Sequence, residues 1–257
     1  MAKFIGATAD FGIAKETSRG TAESSATFWM PKVSISVDDT IEQLVDENSI
    51  GVIEDSVGGH VIHKVAEGDF EGKVTADAFG LVLLSALGAV STAGPTDSAY
   101  THTFTVDQTA QHQALTLFID DGQQDYKHAN GMVSSLEFEA GLDNFLMATV
   151  GFRAKIGETA TLTPSYNDEV HFLPQHGEFK QANTQSGLDG ASAINIRSFS
   201  LSIEKNVEDN RAIGSDEPID ICNKQFAVEG EIELLFDTEA QSMKTQMLAD
   251  TAQALRL

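Results

Sequence analysis

The chain has 257 residues, 39 acidic against 16 basic side chains, a formal charge of −23 at pH 7 and 41% hydrophobic residues. That length and apolar content suffice for one large β-rich domain or two tightly joined halves, while the charge argues against nucleic-acid recognition through a basic footprint. Cys222 is the only cysteine, which excludes an intrachain disulfide, a CxxC motif and a thiolate-based structural zinc site, and fits assembly in a reducing cytoplasm. The longest uncharged apolar stretch, Ala78 to Val90, is too short to span a bilayer, and the start Met1-Ala-Lys-Phe-Ile-Gly6 lacks an apolar core of signal-peptide length. A soluble, unexported chain with no membrane insertion is expected.

Residues 1–31 are rich in Ala, Gly, Ser and Thr and are expected to form an extended N-terminal arm ending at Phe28-Trp29 and Pro31. The remainder, 32–257, is read as one β-rich domain. A strand is predicted over 32–37, where Val33, Ile35 and Val37 alternate with Lys32, Ser34 and Ser36. Residues 38–58 are acidic with only short apolar pieces, and read as a long loop. Two strands follow at about 60–65 and 68–76; in the second, Phe70, Gly72, Val74 and Ala76 oppose Asp69, Glu71, Lys73 and Thr75. A helix is predicted over 77–88, capped by Thr75 or Asp77, with a Phe79, Leu83, Leu87 stripe and a stop at Gly88. Strands are then expected near 99–106, 114–119, 125–129, 132–140 and 144–156, with turns at Asp121-Gly122 and Gly141-Leu-Asp-Asn144. Residues 158–192 are turn-rich and read as a junction. The last strand alternates Phe226, Val228, Gly230, Ile232 and Leu234 with Ala227, Glu229, Glu231, Glu233 and Leu235, and Thr238-Glu-Ala-Gln241 reads as a capping box for a C-terminal helix.

Two stretches repeat one pattern. Val33-Ser-Ile35-Ser-Val37-Asp38 leads to Glu67-Gly-Asp-Phe-Glu71 and a helix, and Phe199-Ser-Leu201-Ser-Ile203-Glu204 leads to Glu229-Gly-Glu-Ile-Glu233 and a helix. Each copy reads as strand, long excursion, strand, helix, giving two pseudo-repeated halves at about 32–157 and 193–257. The fold class expected is α+β, mainly antiparallel β, with a β-sandwich or barrel core and two flanking helices.

No catalytic constellation emerges. There is no GxxxxGK[ST], GxGxxG or GxSxG. His60 and His63 stand three apart on a strand and so point to opposite faces. Asp120, Asp121 and Asp125 lack the glycine and distal glutamate of a calcium loop, and His171 and His176 lie in a surface junction. Glu229, Glu231 and Glu233 form a regular negative stripe, either an ordinary solvent-facing strand face or a surface that repels a polyanion.

Several segments in order resemble the tail tube (major tail) protein family of long-tailed bacteriophages, chiefly the non-contractile kind. They are Gly12-Ile-Ala-Lys-Glu-Thr-Ser-Arg-Gly-Thr-Ala22, Glu67 through Gly88, Tyr100-Thr-His-Thr-Phe104, Gly131-Met-Val-Ser-Ser-Leu-Glu-Phe138, Phe199-Ser-Leu-Ser-Ile203, Gly214-Ser-Asp-Glu-Pro218 and Val228-Glu-Gly-Glu-Ile232. The resemblance implies a non-enzymatic subunit with no cofactor or metal that assembles six to a ring, with rings stacked into a tube whose bore passes DNA. It implies Asp69, Glu71, Glu229, Glu231 and Glu233 as lumen-facing acids. Long loops and arms bridge rings in the family, which points to Phe28, Trp29, Asp38, Asp39, Glu42, Asp46, Glu47 and Glu54 as inter-ring contacts. Tape measure and tail terminator or tip proteins are the implied partners, the virion tail the location, and the host bacterial cytoplasm the site of assembly. The rival expectations are a tube protein of a contractile injection or secretion system, and an acidic β-rich binding module.

Overall fold

The computed structural model describes residues 8–46, 53, 58–96 and 99–257, and is mainly antiparallel strand. Its first part holds β1 (Asp10–Lys15), β2 (Phe28–Trp29), β3 (Lys32–Ile35), β4 (Asp38–Asp46), the long β5 (Gly58–Lys73) and helix α1 (Phe79–Leu87). A hairpin of β6 (Gly88–Thr96) and β7 (Ala99–Val106) leads to β8 (Leu115–Asp120), β9 (Asp125–Gly141), β10 (Met147–Ala154) and β11 (Gly157–Ala160). The last part holds β12 (Phe179–Ala182), β13 (Ala193–Ile194), β14 (Ile196–Glu204), β15 (Glu208–Asn210), β16 (Asp220–Cys222), β17 (Ala227–Leu234), α2 (Thr238–Leu248) and β18 (Ala254–Arg256).

One curled sheet carries most of these strands, in the order β2-β1-β8-β9-β10-β5-β3, with β14 and β17 added along β9. The curl comes from β9. Its first half pairs with β8 and β11, and its second half with β10 and β14. Asn130 sits at the changeover with φ of 55°, a left-handed conformation that asparagine tolerates better than most residues. The two halves of the sheet therefore face each other. Phe11 on β1 stacks on Phe70 of β5 at 5.0 Å between ring centroids and meets Phe152 of β10 at 5.7 Å. Helix α1 closes the same core, with Phe79 5.6 Å from Phe138 and with Val82 and Ala86 fully buried. Each fully buried large apolar side chain here contributes about 1.5–3 kcal/mol.

Several sequence expectations are corrected. Residues 10–31 are no free arm: Phe11 and Ile13 are fully buried, and Trp29 packs over Gly12 with Ala14 and Phe118. Small side chains in the Gly12-Ile-Ala14 stretch admit that aromatic cover. Residues 38–46 form a strand, paired along the outer part of β5, where a loop is expected. The two strands expected at 60–65 and 68–76 are the single strand β5, and those at 125–129 and 132–140 are the single strand β9. In β5, Gly68 permits continuity: its φ is 153°, and a Cβ there would lie 2.3 Å from the Ser36 carbonyl oxygen. Strand β6 occupies residues left unassigned by the pattern. Neither Thr75 nor Asp77 caps α1; Glu169 Oε2 instead accepts the Ala78 N–H at 3.1 Å. In α2 the cap is Asp237, accepting from Ala240 N at 2.9 Å, in place of the box opened by Thr238.

The C-terminal end of α1 is closed by buried cationic and polar groups. Lys205 Nζ donates to Ser85 O at 2.6 Å, a His112 ring nitrogen lies 3.0 Å from Ala86 O, and Gly88, at φ 97°, donates to Leu84 O. Cations suit a helix C-terminus, yet burial, helped by nearby Arg19, pushes the Lys205 ammonium down to about 7. A lysine whose folded value is depressed penalises the fold below that pH, and stability rises as pH climbs from about 7 toward the unfolded value near 10.5. Chemical denaturation at pH 7 and pH 9.5 is expected to show wild type gaining on the order of 2 kcal/mol more than Lys205→Met over that interval. Equal gains in both proteins contradict this account of the buried lysine.

Candidate functional site

The face of the sheet opposite the core is acidic, and its arrangement follows directly from register. Across six strands one row reads Glu229, Ser202, Glu137, Thr149, Glu71, Ser34, from β17 through β14, β9, β10 and β5 to β3. The next row reads Glu231, Ser200, Glu139, Met147, Lys73. On either side, Glu233 pairs with Ser198, and Ser135 and Gly151 lead to Asp69. Directly opposed residues share a face. The five carboxylates expected from the alternation, Asp69, Glu71, Glu229, Glu231 and Glu233, thus lie on one surface of one sheet.

Carboxylates never oppose each other directly in these rows. Strands lie about 4.8 Å apart, so acids on alternate strands are separated by roughly 10 Å, close to the screening length at physiological salt. The intervening Ser and Thr side chains are small, and at the ends of the rows Ser34 Oγ donates to Glu71 at 3.1 Å and Ser198 Oγ to Glu233 at 3.3 Å. The result is a dense negative surface without severe local repulsion. Its few cations are engaged. Lys73 Nζ lies 3.7 Å above the Phe145 ring, and Arg153 is held in an ion-pair cluster.

Glu137 and Glu139 belong to this surface although the sequence reading did not single them out. They line a recess with Glu71, Asp143 and Thr149. The signal was present in Ser135-Leu-Glu-Phe-Glu139, whose period-two alternation matches that of Glu229, Glu231 and Glu233.

One end of the acidic face is locked by a buried polar cluster. Arg153 grips Asp209 through Nε at 2.7 Å and Nη2 at 2.6 Å, and reaches Glu67 through Nη1 at 2.5 Å. His63 Nε2 meets the same Asp209 carboxylate at 2.8 Å. Lys64 N donates to Asp216 O at 2.7 Å, and Arg211 reaches Ile62 O at 2.8 Å and Glu42 at 3.4 Å. These bonds fasten the β15–β16 segment to the base of the β4–β5 hairpin. A second cluster does the same for the N-terminal segment. Arg19 donates to Asp220 at 2.8 Å and to the carbonyls of His112 and Ile221 at 2.6 Å each. Glu16, nearly fully buried, accepts from Gly20 N and Asn130 N, both at 2.6 Å. Burial pushes the Glu16 carboxyl up, against the pull of those bonds and of Arg19.

The expected inter-ring residues divide. Trp29 is buried within its own subunit, and Phe28 is partly buried against the core. Their apolar character reflects packing on β1. Asp38, Asp39, Glu42 and Asp46 lie on the exposed strand β4, but Asp39 accepts from Gly157 N at 3.0 Å and Glu42 pairs with Arg211. Glu47 and Glu54 fall outside the described residues. Among the described residues no cluster of His, Cys, Asp and Glu could hold a metal ion, and no helix is long and apolar enough to cross a membrane.

A family model described as phage tail tube protein matches residues 6–257. The chain belongs to the phage tail tube protein family. That family is one of structural tail proteins rather than enzymes, and its description places the chain in the virion tail as a self-assembling component. A search of curated proteins finds no match. The tail tube segments noted above now have physical roles: buried Glu16 and half-buried Arg19 are connectors, and Glu67 through Gly88 is the strand and helix that carry both the acidic face and the core beneath it.

Burial pushes the Asp209 carboxyl up, but the bonds and charges of Arg153 and His63 outweigh it and hold the group below the ordinary carboxylate range. Its stabilising contribution is therefore complete above the unfolded value and is lost as pH falls through the folded one. Asp209→Asn is expected to cost about 3 kcal/mol at pH 7 in urea melts of the subunit. That gap should close as pH drops below 3.8, the carboxyl's unperturbed value. A cost that is independent of pH contradicts the assignment.

Proposed function

We propose that this chain is the repeating subunit of a hollow phage tail tube, that six copies close into a ring, and that its acidic sheet face lines the bore through which DNA passes during ejection. The observation that carries this reading is the pair of register rows, which set carboxylates on alternate strands across a single continuous surface. DNA carries one negative charge per about 1.7 Å of helix axis, and each phosphate contact with Lys or Arg adds counterion-release affinity. A wall on which carboxylates outnumber cations adds little, so the polyanion slides past without being held.

The ends of the sheet support ring closure. Among the described residues, strand β17 pairs only with β14, and β3 only with β5. Each is an open edge in the single subunit, and joining such edges around a ring removes them. Stacked rings, with the exposed β4–β5 hairpin as the bridging element, complete the tube. Tape measure and terminator or tip proteins are the partners on this reading, with assembly in the host cytoplasm and DNA transit independent of sequence.

Charge reversal of the bore tests it. In phage particles carrying Glu137→Lys and Glu139→Lys together, tubes of normal length are expected, because these side chains lie on β9, between β10 and β14 and away from the open edges. DNA release triggered in a dye-binding assay is expected to slow at least tenfold and to recover partly as salt rises. Unchanged release kinetics with assembled tubes contradicts the proposed role of the face.

A further inference from the structure

The β6–β7 hairpin stands apart from the sheet, and its two strands stand apart from the chain's charge. It forms a two-stranded sheet of its own, with registers from Gly88 opposite Val106 to Thr96 opposite Ala99. Neither strand contains an Asp, Glu, Lys or Arg, in a chain with 39 acids and 16 bases. Most of it is exposed, including Val90, Tyr100 and Val106, and only Phe104, set over Gly80 of α1, and the first residues are partly buried. By contrast the β4–β5 hairpin carries Asp38, Asp39, Glu42 and Asp46 along one strand.

The base of the hairpin is fixed. Asp107 N donates to Leu87 O at 2.7 Å, joining the two feet. The buried His112 ring sits between them, one nitrogen 3.0 Å from Ala86 O and the other 3.0 Å from Asp107 O. A Cβ on Gly88 would lie 2.5 Å from that ring, so the ring fills the space at the pivot. The element is thus held out in one direction by the core instead of swinging freely.

We propose that the two uncharged strands of this hairpin form a docking arm by which one subunit grips a second copy of the same chain. A two-stranded ribbon is marginal in water by itself, and its outer edges offer unpaired backbone groups to an incoming strand. Two copies carrying −23 each repel wherever acidic surfaces meet, and a ribbon whose strands bear no charged side chain, with Asp97 between them in the sequence, is where they approach at least cost. The fixed base removes much of the ordering entropy that docking would otherwise cost. The inference rests on the chain being a self-assembling subunit, though not on which face lines the bore.

The test pairs an assembly measurement with a cross-link. Thr101→Glu with Thr103→Glu adds two charges on one face of β7. The variant is expected to keep the circular dichroism and melting temperature of the wild type, and to need at least tenfold more protein to form ring or tube particles in negative-stain images. Wild type that assembles alongside a variant that assembles equally well overturns the docking arm and leaves the tube reading standing. Wild type that never assembles overturns both. Should the double variant fold poorly, a photo-activated benzophenone side chain in place of Tyr100 decides the matter in assembled particles. Covalent dimers of this chain support the proposal; cross-links to another virion protein, or none between chains, overturn it.

Discussion

The period-two geometry of a strand governs this molecule. Each long strand sends one set of side chains to the core and the other to the opposite surface. In β9 the first set includes Leu136 and Phe138 and the second Glu137 and Glu139. Because β17, β14, β9, β10 and β5 are in register, the core and the acidic face are two sides of one constraint. A slip of one residue in any of these strands would drive carboxylates into the apolar interior and expose phenylalanines. The burial that stabilises the subunit thereby also fixes the charge pattern on its other side.

Charge spacing is the second consequence. A sheet with acids on every strand would set like charges directly opposite one another and lose stability. Here Ser198, Ser200 and Ser202 on β14 separate the glutamates of β17 from those of β9, and Thr149 with Met147 separates β9 from β5. Local repulsion is thus diluted while the surface as a whole stays strongly negative, which is the property the proposed bore requires.

The sequence made the alternating strands, the two helices and the acidic stripe of β17 legible, because each depends on local periodicity. What it did not reveal depends on contacts distant in the chain. Gly12 reads as part of an extended arm until Trp29 is seen packed over it. The acidic stretch 38–46 reads as loop because its partner is the outer half of β5, a pairing that local pattern does not reveal. Glu16, Arg19, His63, Lys205 and Asp209 are scattered polar residues in the sequence, and become connectors only when segments up to about two hundred residues apart meet. Gly68 and Asn130 look like breaks, yet each lets one strand continue through a bend.

The most direct measurement is an electron cryomicroscopy map of the assembled particle at side-chain resolution. The account predicts a hollow ring whose inner wall carries Glu71, Glu137, Glu139, Glu229 and Glu231, with Phe138 and α1 behind it in each subunit. A bore lined by lysine and arginine, or a ring with this acidic face turned to the outside, would contradict it.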